Sequence, residues 1–499
     1  MKKGARFLWS LHRITGAVIA LFFLMWFVSG LVLVYHSFPR VDKAVQYEKM
    51  ETLPSSLPDI NTYLGQIPDK GKVRKINVRR FQGQTLFSVA TKDSTYTFCT
   101  DTLQPVKPIT FDYIRQVAHD WVNAPILKID TLHQREQWIM YSRYEREMPV
   151  YKFYFDDKEK HQLYIAARSG EVLQFTSSTQ RFWAWVGYIP HTFYIPFLRQ
   201  NTDAWTNTLT VAGIIAMLAG LTGLYVGVSV LYRRYKQRGT FDNPYRKRWY
   251  RWHYALGLIL GVLIVTWGLS GALSLQRIPR WIIPIEGDYS VSPEKLRGKS
   301  FPVDRYKLDY RQLKEAYPDL KQVEWTYYSD LPVYDIIAGN RNQKIDASSP
   351  VVKDLFLPEE TIARAIKKMH GEDAPFHISM IDRYDEYYLS IDNTRPLPVY
   401  KVEVDNKDRS VYYIDPATGN HKYLNTNRKV KKWLFSAFHY LNIRWLIERH
   451  TLWTIAMWTL CLGGASLSLT GVWLGIRFIF RKLRRGKRIK KRILFMPYR

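Results

Sequence analysis

Four stretches of the chain, residues 14–35, 208–232, 254–275 and 452–476, run apolar from end to end and contain no Asp, Glu, Lys or Arg. About 20 residues of helix cross a bilayer, so each stretch predicts a membrane-spanning helix. The two long connections between them, roughly 37–200 and 276–450, change pattern. Residues 151–155 and 400–404 alternate or are rich in β-formers, with Gly170 and Gly419 closing strand-like runs. Residues 111–121 and 359–369 predict helices. The expected fold is an α-helical membrane protein of four transmembrane helices in two parallel repeats, with two α+β extracytoplasmic domains. The expected boundaries are 1–35, 36–204, 205–232, 233–252, 253–275, 276–450, 451–476 and 477–499.

Charge fixes the direction of the spans. The chain has 73 Lys and Arg against 44 Asp and Glu, a net +29. Most of that excess sits in three short stretches: Lys2, Lys3, Arg6 and Arg13 at the start, eight basic residues against Asp242 in 232–252, and eleven in 477–499. Each abuts an apolar run, which is how Lys and Arg hold helix ends on the cytoplasmic side. Both termini and the middle loop are therefore expected in the cytoplasm and both long connections outside. The tail from Arg481 to Arg488 reads as a topology and anionic-lipid element, and nucleic acid is not an expected partner. The first span exceeds a signal-peptide core and no small-residue cleavage pattern follows it, so it reads as an uncleaved anchor. The two cysteines, Cys99 and Cys461, fall in a polar and an apolar region and form no disulfide framework.

The halves repeat. An offset of 241 carries His12 to His253, Gly16 to Gly257, Trp26 to Trp267, Ser29 to Ser270 and Gly30 to Gly271. An offset of 248 carries Trp185 to Trp433, His191 to His439, Trp205 to Trp453, Thr222 to Thr470 and Gly223 to Gly471, and 249 carries Pro149 to Pro398. Both halves run from inside to outside and back, so an axis along the membrane normal relates them. Such an axis brings equivalent residues together. Two pairs of imidazoles, His12 with His253 at the cytoplasmic face and His191 with His439 at the outer face, then suit haem iron held from both sides. Haem b needs no Cys-x-x-Cys-His attachment, and the chain has none; the ligand form is neutral imidazole, which apolar surroundings favour. Zinc fits less well, because a structural site gathers four N or S ligands. His36 and His450 break the symmetry and are expected as interfacial polar residues, each an alternative outer ligand.

The remaining signals narrow the chemistry. Acidic residues are absent from all four spans, whereas ion- or proton-coupled transport places ionisable groups there. The pairs Gly223/Gly227, Gly257/Gly261 and Gly471/Gly475 fit close helix packing and porphyrin contact equally well. Nucleotide-binding Gly-rich loops, zinc-protease and serine-hydrolase motifs are missing. Electrons would have to come from quinol or a separate reductase.

Leu11-His12-Arg13 with a span ending Ser29-Gly30, and its echo from Trp252-His253-Tyr254 to Ser270-Gly271, resemble the first helix of PepSY-associated transmembrane proteins. The run from Tyr412 through Ile414-Asp415-Pro416-Ala417-Thr418 to Gly419 resembles the end of a PepSY domain, as does, less closely, the run from Leu163 to Val172. The resemblance implies a bacterial inner-membrane protein with PepSY-like periplasmic domains. Some such proteins are ferric-siderophore reductases carrying one or two non-covalent b-type haems on paired histidines. Carried over, the leading Leu-His falls on His12 and the pre-helix His on His191 and His439; His253 follows through the repeat. Pro190-His191-Thr192 and Phe438-His439-Tyr440 depart from the Leu-His-Arg context. The expected activity is electron delivery to a periplasmic ferric chelate, with two alternatives: an anchored PepSY binding or inhibitory module, and a chelate permease subunit.

Overall fold

The computed structural model describes residues 3–67, 73–100, 106–297 and 303–494, without side chains from 485 onward. Lys2 and the part of the basic tail beyond Arg484 lie outside the described side chains. Four long apolar helices, Lys3–Leu33, Thr202–Arg238, Arg248–Leu273 and His450–Leu494, account for the expected spans. At their basic ends they overrun the expected limits, because an apolar criterion stops at the first charge while the helix continues into water on its Lys and Arg side chains; the first and third stop two residues short of the expected 35 and 275, at Leu33 and Leu273. The second ends where Gly239 takes φ +69° after Lys236 and Arg238, cations that suit a helix C-terminus.

The first helix packs along the fourth and the second along the third, with the first also touching the second and the third the fourth. Glycine permits the tightest of these approaches. A Cβ at Gly213 would lie 2.5 Å from the backbone nitrogen of Ala272, and one at Gly268 would lie 2.5 Å from that of Met217. Backbones of the second and third helices therefore touch without intervening side chains.

The connections form three antiparallel sheets. The strands are β1 (Lys75–Phe81), β2 (Gln84–Ala90), β3 (Thr95–Cys99), β4 (Ile126–Leu132), β5 (Val150–Phe155), β6 (Gln162–Ala166), β7 (Val172–Thr176), β8 (Leu320–Tyr328), β9 (Leu331–Ala338), β10 (Arg341–Asp346), β11 (Phe376–Ile381), β12 (Val399–Val404), β13 (Val411–Ile414) and β14 (His421–Leu424). Strands β4 to β7 and β11 to β14 make two small sheets in sequential order. Each is backed by one helix. Ile114 and Ala118 of the Phe111–Trp121 helix pack on Phe153, Leu163 and Ile165, and Ile362, Ala365 and Ile366 of the Glu359–His370 helix pack on Val402, Tyr412 and Ile414. Tyr328 and Val333 of the third sheet join the second of these cores.

That third sheet departs from the expectation of two separate domains. Its order is β10-β9-β8-β1-β2-β3, so strands from both connections form one continuous sheet. The joint pairs Ile76 with Trp325, Asn77 with Glu324 and Val78 with Val323. Ile76, Val78, Val323 and Trp325 face a common core and are at most 4% exposed. Apart, β1 and β8 would each present unpaired backbone groups beside an apolar face; joined, both edges are closed. Cys99 on β3 and Cys461 in the fourth helix lie in different layers.

Candidate functional site

The histidines that the sequence pairs are brought together. The rings of His12 and His253 have centroids 6.2 Å apart, and those of His191 and His439 have centroids 6.0 Å apart. Two imidazoles bonded to one metal from opposite sides at about 2.0 Å each would place their ring centres roughly 6 Å apart. His12 and His253 ride on the first and third long helices. His191 belongs to the short Tyr188–Thr192 helix, and His439 ends a helical run that begins at Thr426 and passes through a π-helical segment, Lys432–Ala437. Phe193 and Leu441, two residues beyond each histidine, take the left-handed conformation at φ 50° and 54° and turn the chain back toward the next long helix.

Hydrogen bonds fix which nitrogen of each ring is open. His12 Nδ1 lies 3.1 Å from the Ala219 carbonyl, which can only accept, so Nδ1 carries the proton. His253 Nδ1 is 2.9 Å from Thr470 Oγ1, His191 Nδ1 is 3.1 Å from Ser29 Oγ, and His439 Nδ1 is 3.0 Å from Ser270 Oγ. Each of these hydroxyls already donates its proton to a helix carbonyl: Thr470 to Leu467 at 2.6 Å, Ser29 to Met25 at 2.7 Å and Ser270 to Trp267 at 3.1 Å. The hydroxyl oxygens therefore accept from Nδ1–H. In all four neutral rings Nε2 is left as a lone pair, and among the described residues no protein group hydrogen-bonds to it. A carbonyl or hydroxyl holding Nδ1–H is the usual outer partner of a metal-bound imidazole. The sequence reading missed these partners, although Ser29/Ser270 and Thr470 were visible in it as repeated positions.

Other histidines are satisfied locally. His161 pairs with Asp157 at 2.7 Å, His370 with the Tyr412 hydroxyl at 2.8 Å and His421 with the Val291 carbonyl at 3.1 Å. His36 stacks flat on Trp183 at 4.4 Å and His450 on Trp453 at 5.6 Å. His450 borders the outer cavity, yet it is His191 and His439 that face each other there.

Around the outer pair lies a cavity of about 910 Å³, walled by Trp26, Phe27, Trp267, Phe435 and Met457 and floored by Gly30 and Gly271. Its walls are mostly apolar and aromatic, the usual lining of a cofactor pocket. The glycines divide by role. A Cβ at Gly223 would fall 2.8 Å from His12 Cε1, so this glycine makes room for an imidazole, while one at Gly471 would fall 3.2 Å from Ala20 Cβ and lie in ordinary contact, 3.6 Å, with His253 Cε1. Gly227, Gly261 and Gly475 instead admit Leu258, Leu224 and Ala17 of neighbouring helices. Among the described residues no three His, Cys, Asp or Glu side chains converge. The donor set is thus two neutral imidazoles per site, which suits an in-plane macrocycle that supplies the other ligands and does not suit zinc.

Four apolar helices carrying a β-rich region define a multi-pass membrane protein. The family model of the PepSY-associated TM region matches residues 9–286, and that of the peptidase propeptide and YPEB domain matches residues 357–420. The chain belongs to the PepSY-associated transmembrane family. The second match covers the Glu359–His370 helix and strands β11 to β13, so a PepSY domain occupies the second connection. No curated protein matches the chain.

Proposed function

We propose that this protein carries electrons across a bacterial inner membrane, holding b-type haem non-covalently between His12 and His253 on the cytoplasmic side and between His191 and His439 on the outer side, and delivering them to a ferric chelate of siderophore type. The observation that carries this reading is the shared state of the four rings: Nδ1–H engaged, Nε2 open, and a partner ring about 6 Å away. Bound there, haem b supplies one-electron transfer between iron(III) and iron(II).

The chain's residues contribute position and environment. Ser29, Ser270, Thr470 and the Ala219 carbonyl hold the imidazoles in one tautomer and one orientation. Gly223 allows the His12 ring to lie close to the second helix. The aromatic wall of Trp26, Phe27 and Trp267 keeps water from the outer pocket. Electrons enter from membrane quinol or a separate reductase, and a chelated Fe³⁺ that accepts one becomes Fe²⁺, which hard oxygen donors hold less tightly.

Duplication supports the pairing. The helix contacts map onto each other when the first helix is exchanged for the third and the second for the fourth. At the sheet joint a shift of 247 turns the pair Ile76 with Trp325 into the pair Val78 with Val323, the self-complementary pattern of a twofold axis. Left-handed residues recur at matching offsets, Lys160 with Arg409 and Phe193 with Leu441. The flanking basic stretches support cytoplasmic termini and a periplasmic β region.

Purified protein tests the proposal through its absorbance. The expected result is an oxidised Soret band that sharpens on dithionite, with a pyridine haemochrome count of one or two per chain and loss of one haem in His253→Ala. A colourless, folded preparation from haem-replete cells would overturn it and leave an anchored binding module. Uptake of intact labelled chelate that survives loss of His12 and His253 would instead indicate a permease.

A further inference from the structure

A second cavity, of about 550 Å³, opens where β8 and β9 of the shared sheet meet β14 of the PepSY sheet and the segment around Arg297. Five cationic side chains border it, Arg297, Lys344, Arg395, Lys422 and Arg428, and no Asp or Glu does. Among the described residues only Lys344 of these five has a carboxylate within 4.0 Å, Asp335 at 3.5 Å. The Lys422 ammonium donates to the Tyr387 carbonyl. Arg297, Arg395 and Arg428 have no acidic partner within 4.0 Å among the described residues. Burial, with Arg395 and Arg428 close by, pushes the Lys422 ammonium down to about 8. Apart from Asp335 at Lys344 and the nearby charge of Asp385 at Lys422, these like charges are held together without a carboxylate at the cavity wall among the described residues.

A second observation is independent of charge. Tyr328 borders the same cavity, is 6% exposed, and its buried hydroxyl has no hydrogen-bond partner among the described residues. Buried hydroxyls are nearly always paired, so this one is an unused donor beside the cationic cavity.

Comparison of the two halves shows that the fold does not need Lys422 or Arg428, whereas Arg395 keeps a basic equivalent, Arg146, at offset 249. At offset 249, His421 and Lys422 correspond to Val172 and Leu173 on β7, and at 248 Arg428 corresponds to Gln180. The first half builds the same strand and helix start with neutral side chains. We propose that the cavity is a binding site for a small oxyanion with two or more carboxylate or phosphate groups, held by Arg297, Arg395 and Arg428 with the Tyr328 hydroxyl donating to one oxygen. Guanidinium forks match both groups.

Isothermal titration of the full-length protein in detergent, with citrate and pyrophosphate as probes and acetate as a monovalent control, tests this. The expected result is saturable one-to-one binding of citrate or pyrophosphate at least tenfold tighter than acetate. Whichever of the two binds more tightly assigns the ligand's anionic group. Arg428→Gln is expected to weaken binding at least tenfold, and Tyr328→Phe, which removes one oxygen and preserves the ring, several-fold with an unchanged thermal melt. Absence of saturable binding by either probe overturns the proposal. So does binding that Tyr328→Phe and Arg428→Gln both leave unchanged in folded protein. Neither readout involves haem, so failure here is distinct from failure of the electron-transfer proposal.

Discussion

Ser270 shows how much rests on one proton. Its hydroxyl gives its hydrogen to the Trp267 carbonyl and its lone pair to His439, which leaves Nε2 as the free lone pair of a ring that lines the aromatic cavity. Ser270→Ala removes the acceptor, and the ring can then rotate or switch tautomer. Loss of such an outer partner costs about 10- to 100-fold in affinity for the bound group, to be read as haem retention during dilution, with the inner site unaffected. Gly223→Ala makes the complementary case, since the added methyl would meet the His12 ring at 2.8 Å. On the proposed function, a haem between His12 and His253 is expected to be lost or to show a shifted spectrum while one between His191 and His439 stays. The four histidines were legible in the sequence because they fall in two pairs, at offsets of 241 and 248, that neighbouring glycines, tryptophans and hydroxyl residues share. The serines and threonine were written twice as well, or nearly so, but a hydroxyl in an apolar helix ordinarily satisfies itself on its own i−4 carbonyl. Only the position of the ring identifies its second role.

At the scale of helices and strands, the close contact of the second and third helices depends on Gly213 and Gly268, which leave no space for a side chain. Gly268→Val forces the backbones apart, and overpacking of this kind costs about 1–3 kcal/mol, expected as a lower melting temperature in detergent with a normal far-UV spectrum. The helical spans and both short outer helices were readable from composition and periodicity, because each element answers to its own local pattern. The cationic cavity was not. Arg297, Arg395 and Arg428 lie about 100 and 30 residues apart along the chain, and each alone is an ordinary surface arginine. The cavity exists only because β14 and the Arg297 segment are folded against β8. From Arg428 the chain runs helically to His439, eleven residues or about 16 Å at 1.5 Å per residue, so the two sites share one continuous rod.

For the molecule as a whole, the six-stranded sheet binds the halves more firmly than the helices alone would. Pairing between residues nearly 250 positions apart leaves no trace in a local pattern, which is why the sequence reading drew two domains where the structure has a common sheet. Residues 1–240 and 241–499 produced as separate chains in one cell are expected to copurify as a one-to-one complex. Val78→Lys or Val323→Lys would place a charge in the joint's apolar core and is expected to abolish that association, measured by pull-down of one tagged half. The same joint speaks to ancestry. A gene half this length would have encoded a chain with an open β1 edge and one imidazole of each pair, unable to close either by itself. The complement such a chain needs is a twin of identical sequence, the homodimer that the proposed duplication would have joined in a single reading frame.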